Sequence, residues 1–116
     1  MPDPTEIRLE KTRRVLVVEF DDGRSFELPC EYLRTHSPSA EVRGHGQAEL
    51  NLLAGKENVN IDRITPVGSY AVCLHFDDGH NTGIYSWPFL YDLGINMEDN
   101  LAHYHERLVE AGLRAV

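Results

Sequence analysis

Adjacent acidic residues occur twice within the same tetrapeptide, Phe-Asp-Asp-Gly, and supply the side chains needed for acid–base chemistry. The copies lie at residues 20–23 and 76–79, and His80 follows the second copy. Acid–base catalysis by two carboxylates requires that their pKa values be driven apart by their environments. An Asp-Gly pair between alternating apolar segments indicates a β-hairpin tip, where both carboxylates are solvated. We therefore interpret both copies as turns and assign no catalytic acid pair.

Serine and histidine residues between positions 35 and 46 have the types needed for nucleophilic catalysis. Ser37 and Ser39 flank Pro38 and lie near His36 and His45 in the sequence. No Gly-x-Ser-x-Gly segment or comparable nucleophile context accompanies them. The segment is also rich in Ser, Pro and Gly, which favours a polar loop. We therefore predict that the protein is not an enzyme and has no catalytic residues.

The histidines are candidate metal ligands, although none has the close spacing of a zinc motif. His103 and His105 are two positions apart on a predicted helix, about 200° around its axis, so they cannot bind one ion. Four other histidines could be gathered by the fold: His36, His45, His75 and His80. Spacing alone leaves two interpretations open, solvated surface histidines or ligands of one metal ion.

Composition restricts the class of protein. The 116 residues include 41% hydrophobic residues, which favours a single globular domain spanning residues 1–116. The net charge of -8 argues against nucleic acid as a partner, because binding to phosphate backbones requires a basic surface. The N-terminus lacks a basic start followed by an apolar run, so we expect a cytoplasmic protein with no membrane partner. Cys30 and Cys73 are expected to be reduced and buried.

Alternating segments predict the strands that position these residues. Residues 14–20 are rich in β-branched side chains and run into the first turn, and residues 25–28 alternate after it, which predicts a hairpin. Residues 6–10 predict a further strand beside it. Pro29 favours a short helix over residues 30–34.

The second part of the chain repeats this order. Residues 58–64 and 70–74 predict two strands, and the first ends at Pro66. They are followed by the second turn, by a strand containing Ile84 and Tyr85, and by a short helix over residues 87–91. The two turns are 56 residues apart, and Tyr32-Leu33 matches Phe89-Leu90 at an offset of 57. The repeat predicts an α+β fold, in which two related hairpin–helix halves form an antiparallel sheet.

A longer helix is predicted near the C-terminus. Asn96 is the expected N-cap, and Gly112 the expected stop signal. An apolar stripe at helical spacing should pack this helix on the sheet; its members are Met97, Leu101, Tyr104, Leu108 and Ala111. His103 and His105 fall outside the stripe.

Two segments resemble a known family. They are Tyr-Leu-Arg-Thr-His-Ser-Pro-Ser-Ala-Glu-Val at residues 32–42 and Asp-Gly-His-Asn-Thr-Gly-Ile-Tyr-Ser-Trp at residues 78–87. The chain resembles, over nearly its whole length, domains like the N-terminal domain of gamma-butyrobetaine hydroxylase, and in particular the small stand-alone bacterial members. In the larger dioxygenases this domain precedes a separate catalytic domain with iron and 2-oxoglutarate, which the resemblance does not include.

The resemblance also implies that a zinc site of the larger enzymes has changed in this chain. The domain of the larger enzymes binds structural zinc through three cysteines and a distant histidine. Aligned on residues 32–34, the cysteine positions are Ser37, Ser39 and Val42, and the histidine position is His80. Neither serine nor valine replaces a thiolate ligand at neutral pH, so we expect the inherited site to be lost. A rebuilt site for zinc or iron, formed by His36, His45 and His80, is the alternative.

The same domain type is found attached to nucleotide-binding carriers of iron–sulfur clusters. By this resemblance we expect a non-catalytic binding or interaction module, whose partner is an iron–sulfur or iron-dependent protein. The competing hypothesis is the metal-binding protein with the three histidine ligands. A homodimer is left open.

Overall fold

Each half of the sequence forms its own three-stranded antiparallel sheet. The first contains β1 (Pro4–Glu10), β2 (Val15–Phe20) and β3 (Ser25–Pro29), in that order. The second contains β4 (Ile61–Val67), β5 (Ala71–Phe76) and β6 (Ile84–Ser86), again in chain order. The computed structural model describes residues 2–39, 42 and 52–114.

A helix follows the last strand of each sheet. Helix α1 (Cys30–Thr35) follows β3, and α2 (Trp87–Ile95) follows β6. The Ser86 side chain caps α2 by accepting a hydrogen bond from the Phe89 N–H, and Pro88 occupies the first turn, where its missing N–H costs nothing. The order of strand, turn, strand and helix therefore recurs, and the predicted α+β class with two related halves is confirmed.

One core joins the two halves. In β2 and β5, every second residue points toward the core, as the two-residue period of a strand requires. Many of the fully buried side chains come from both sheets and from the helices that follow them; the largest include Leu16, Leu28, Tyr32, Leu33, Leu74, Tyr85 and Leu90. The core therefore lies between the inner faces of the sheets and these helices.

The C-terminal helix, α3 (Met97–Glu110), packs on this core as predicted. Tyr104 and Leu108 are buried, and Met97 and Leu101 are partly buried against the core. Ala111 is exposed beyond the helix end, so its place in the apolar stripe was wrong. His103 and His105 are exposed, as their positions off the stripe predicted.

Two elements extend beyond their predicted ends. Strand β4 continues through Pro66 to Val67, because β4 is an edge strand of its sheet and a proline there need not donate to a neighbour. Helix α2 extends to Ile95 instead of ending at Tyr91. Asn96 occupies the predicted N-cap position of α3, but its side chain donates to Asp92 in α2 and makes no capping hydrogen bond to α3.

Both cysteines are free, and they differ in burial. Cys30 is buried, and burial raises the pKa of its thiol to about 11. Cys73 lies on the outer side of β5, is only half-buried, and its Sγ donates to the Asn81 carbonyl at 3.1 Å. The predicted burial of Cys73 was therefore wrong, since the residue falls on the strand face that points away from the core.

Over residues 2–39, 42 and 52–114, no helix has the length and apolar content needed to cross a membrane.

Candidate functional site

The two Phe-Asp-Asp-Gly copies form equivalent turns. Gly23 N–H donates to the Phe20 carbonyl and Gly79 N–H to the Phe76 carbonyl, both at 3.1 Å. The glycines have φ angles of 87° and 92°, which residues with a Cβ rarely adopt. The turn interpretation is confirmed. The second aspartate of each turn is not simply solvated, however, because it contacts the other half of the chain.

These contacts are reciprocal. Tyr91 in α2 donates to Asp22 Oδ2 at 2.6 Å, and Arg34 Nε in α1 donates to Asp78 Oδ2 at 2.8 Å. Arg34 and Tyr91 are equivalent positions of the sequence repeat, at the offset of 57. Each helix thus binds the turn of the opposite half. The repeat relates Arg34 to Tyr91 and Asp22 to Asp78, but it does not indicate that the contacts cross between the halves.

Asp78 is the most heavily engaged acid of the two turns. Its Oδ2 also accepts from Lys56 Nζ at 2.7 Å, and its Oδ1 accepts from the His80 N–H at 3.1 Å. Burial acts to raise the pKa of Asp78, but the hydrogen bonds from Lys56, the His80 N–H and Arg34 outweigh burial and lower that pKa to about 2. The carboxylate is therefore ionised at neutral pH, with two cations beside one oxygen.

Ser37 and His80 form a buried pair. Ser37 Oγ lies 2.9 Å from His80 Nε2, with Ser37 fully buried and His80 5% exposed. Ser37 Oγ also accepts from the Ser39 N–H at 3.2 Å. A Cβ added to Gly83 would lie 2.5 Å from Ser37 Oγ, so the backbone there packs directly against the serine. The segment after α1 is thereby joined to the segment after the second turn.

The positions aligned with the zinc ligands by resemblance lie close together. Besides the Ser37–His80 contact, Ser39 Oγ lies 2.7 Å from Thr82 Oγ1, and the Val42 N–H donates to the Ser39 carbonyl at 3.0 Å. Ser37, Ser39 and Val42 are buried. Residues 36–39 form a loop, as predicted, and hydrogen bonds to neighbouring residues satisfy the polar groups of the buried Ser37 and Ser39 inside the protein.

A serine oxygen beside an imidazole nitrogen is also the arrangement of a nucleophile and its base. Such a pair acts only when a substrate carbonyl reaches the serine oxygen. Ser37 has no exposed surface, and Gly83 packs against its oxygen. The pair as arranged here joins two segments and offers no open face for a substrate.

The three predicted metal ligands are placed differently. His36 is 9% exposed, its Nδ1 lies 3.1 Å from the Tyr32 carbonyl oxygen, and its ring packs near those of Tyr32 and Tyr104. His80 Nε2 contacts Ser37. Neither is a solvated surface histidine. His45 lies outside the described residues.

The three-histidine site stays a prediction. Within the described ranges, residues 2–39, 42 and 52–114, no three His, Cys, Asp or Glu side chains are grouped to hold a metal ion. His75, the fourth histidine considered, lies on β5 with its Nε2 2.9 Å from Thr65 Oγ1.

The outer faces of the two sheets differ in charge. Ion pairs cover the first sheet; the participants are Glu6, Arg8, Glu10, Arg13, Glu19 and Glu27. Across the second sheet, Thr65, Cys73 and Ile84 form one cross-strand row, which we call the uncharged row. Ile84 is 50% exposed, and Tyr70, in the turn between β4 and β5, is 59% exposed. The second sheet thus presents Ile84 and an uncharged row where the first presents ion pairs.

Comparisons with known proteins agree with the fold. The family described as gamma-butyrobetaine hydroxylase-like, N-terminal, matches residues 7–91. A protein solved by solution NMR is 52% identical with a TM-score of 0.83, over 97% of this chain and 83% of that chain. A second NMR structure is 39% identical with a TM-score of 0.84, over 100% and 94% of the two chains.

A crystal structure from Acidithiobacillus ferrooxidans is also similar, at 42% identity and a TM-score of 0.67, over 78% of this chain and 91% of that chain. That protein is described as one of unknown function in the DUF971 family. No curated protein matches the chain. The family match spans most of the sequence and both halves of the repeat, and the chain therefore belongs to the family of gamma-butyrobetaine hydroxylase-like N-terminal domains.

Proposed function

We propose that the protein is a non-catalytic interaction module, which docks on an iron–sulfur or iron-dependent protein through the outer face of its second sheet. The observation that supports this proposal most directly is the contrast between the two outer faces. An exposed apolar surface within a polar one is characteristic of an interaction site. The connection to iron rests on the family resemblance, not on a contact in the structure.

The chemistry of the face defines the partner's surface. Ile84 and Tyr70 offer apolar contact area, and the aromatic ring of Tyr70 is a side-chain type enriched at interfaces. Arg63 pairs with His75 across β4 and β5 and forms no ion pair with the residues that the structure describes. The matching partner surface is therefore an apolar patch with a carboxylate at its margin.

Affinity capture tests this proposal. The tagged protein and its Ile84→Glu variant should be used to capture partners from the cells that produce the protein, with quantitative identification of what is retained. The expected result is an iron–sulfur or iron-dependent protein that is retained by the parent and lost with Ile84→Glu. The matched control is Ile95→Glu, because Ile95 is 45% exposed at the end of α2, away from this face.

Two outcomes would contradict the proposal. Equal retention by both glutamate variants would show that the outer face of the second sheet is not the docking surface. A parent that is dimeric in sedimentation experiments and becomes monomeric only with Ile84→Glu would assign the face to a second copy of this chain instead.

A metal-binding role is the second candidate, with zinc or iron bound by His36, His45 and His80. The observation in its favour is the Ser37–His80 contact, which brings the segment after α1 to the second turn. Calorimetric titration with zinc and with anaerobic ferrous iron, at neutral pH, should then show binding that His80→Ala removes and that His103→Ala leaves intact. Absence of saturable heat, or binding retained by His80→Ala, would eliminate this site.

A further inference from the structure

Arg34 has a nitrogen whose hydrogen-bonding capacity is not used. Its side chain is 11% exposed, and Nε is committed to Asp78. Nη1 is buried and has no hydrogen-bond partner among the residues that the structure describes. A guanidinium carries five N–H donors and no acceptor, so only an oxygen or another acceptor can satisfy this nitrogen. Buried polar groups are nearly always paired, which makes Nη1 an exception that requires an explanation.

The charge around Arg34 indicates which acceptor is missing. Arg34 and Lys56 both donate to the same oxygen of Asp78, at 2.8 and 2.7 Å. Two cations thus share one carboxylate oxygen, and neither has a carboxylate oxygen to itself among the described residues. The neighbouring acid, Asp77, accepts from the Asn60 N–H and forms no ion pair within the described part of the chain. A further anion would complete the cluster.

We infer that Arg34 and Lys56 form a binding site for one carboxylate group, which Arg34 Nη1 and Lys56 Nζ would bind together. Arg34 Nε already donates to Asp78, so Nη1 is the guanidinium donor left for a ligand oxygen, and the lysine ammonium adds a donor that can rotate. Lys56 is 24% exposed, so a ligand would reach the site from its side. The ligand is either a small free carboxylate or an aspartate or glutamate side chain of a protein.

This site is separate from the surface proposed for docking. The carboxylate site is built on α1, the second turn and the segment before β4, whereas the docking face consists of the outer side of β4 to β6. The two proposals therefore fail independently. Loss of carboxylate binding would leave partner capture unaffected, and the reverse also holds.

NMR of the arginine Nε–Hε groups in the labelled full chain is the direct test. Sodium acetate and a short glutamate-containing peptide are the probes, with sodium chloride at matched ionic strength and neutral acetamide as controls. We expect the Arg34 resonance to shift saturably with a carboxylate and not with either control. Lys56→Gln should weaken that binding about tenfold, since it removes one charged hydrogen bond. Arg63→Gln, an exposed arginine on β4, should leave it unchanged.

The outcomes separate the sources of the carboxylate. Saturation by acetate assigns the site to small free carboxylates, and saturation by the peptide alone assigns it to acidic side chains. An unchanged Arg34 resonance with both probes, an equal shift with chloride, or binding unaffected by Lys56→Gln would each overturn the inference. The Lys56 variant removes a side chain from the surface, so the test does not depend on the folding of a variant at Arg34 itself.

Discussion

Tyr91 donates a hydrogen bond of 2.6 Å to Asp22, and through it α2 of the second half binds the turn of the first. The same hydrogen bond is the largest cause of a lowered pKa at Asp22, and it raises the pKa of Tyr91. The equivalent contact in the other direction, from Arg34 to Asp78, replaces a neutral donor with a cation. The two halves therefore make equivalent contacts, one with a neutral hydrogen-bond donor and the other with a cation.

Removal of the tyrosine hydroxyl tests this contact. In Tyr91→Phe, the pKa of Asp22 should rise toward its ordinary value, because its principal hydrogen-bond donor is lost while the backbone N–H of Arg24 remains. The measurement is an NMR titration of the side-chain carboxyl carbons. Tyr70→Phe, in an exposed turn, is the matched control. An Asp22 titration identical in Tyr91→Phe and the parent would show that the bond is not formed in solution.

Asp78 should make the fold sensitive to acid. Its pKa is about 2 in the folded protein against an ordinary value of 3.8, so the ionised form stabilises the folded state. This contribution is fully present above about pH 4 and is lost as the pH falls through about 2. Asp78→Asn should lower stability at neutral pH and reduce the loss of stability between those two values.

Urea unfolding of the parent and Asp78→Asn, repeated at several pH values, provides the measurement. Asp62→Asn removes an exposed carboxylate on β4 and controls for the change in net charge. A stability difference between Asp78→Asn and the parent that is the same at pH 2 and pH 7 would contradict the ion pairs described here.

Gly83→Ala should destabilise the fold because its Cβ would lie 2.5 Å from Ser37 Oγ and 3.0 Å from the Tyr85 ring. Overpacking of this kind costs about 1–3 kcal/mol. Asn81→Ala, two residues away and exposed, should change the free energy of unfolding little. Equal urea midpoints for Gly83→Ala and the parent would mean that the Ser37–His80 pair is not packed against this backbone.

The C-terminal helix should depend most on Leu108, which is 1% exposed. Leu108→Ala should cost about 2–5 kcal/mol, with a smaller loss for Leu101→Ala, because Leu101 is only partly buried. His103→Ala, on the exposed side of the same helix, is the control. Chemical denaturation decides the matter, and a Leu108→Ala midpoint equal to that of His103→Ala would show that α3 does not dock.

Local features of this fold were predictable from the sequence. The two Asp-Gly turns, the hairpins around them and the stripe of α3 depend on interactions within a few residues. The extension of β4 through Pro66 was not predictable in this way, since a proline is tolerated there only because of the strand's place at the sheet edge. Asn96 occupies the N-cap position that the sequence predicted, but its side chain donates to Asp92 and not to α3.

The contacts of the candidate site were beyond local prediction. Ser37 and His80 are 43 residues apart, and Arg34 and Asp78 are 44 apart, so their meeting depends on how the two halves pack. The family resemblance placed Ser37 and His80 in one site, although the sequence offered no sign that a hydrogen bond would join them. The unpaired nitrogen of Arg34 follows from side-chain geometry alone.

The exchange of turn contacts makes each half depend on the other. A single half on its own would leave the second aspartate of its turn without the helix residue that binds it. Each half supplies the helix residue that binds the turn of the other. We therefore expect the two halves to unfold together as one cooperative unit.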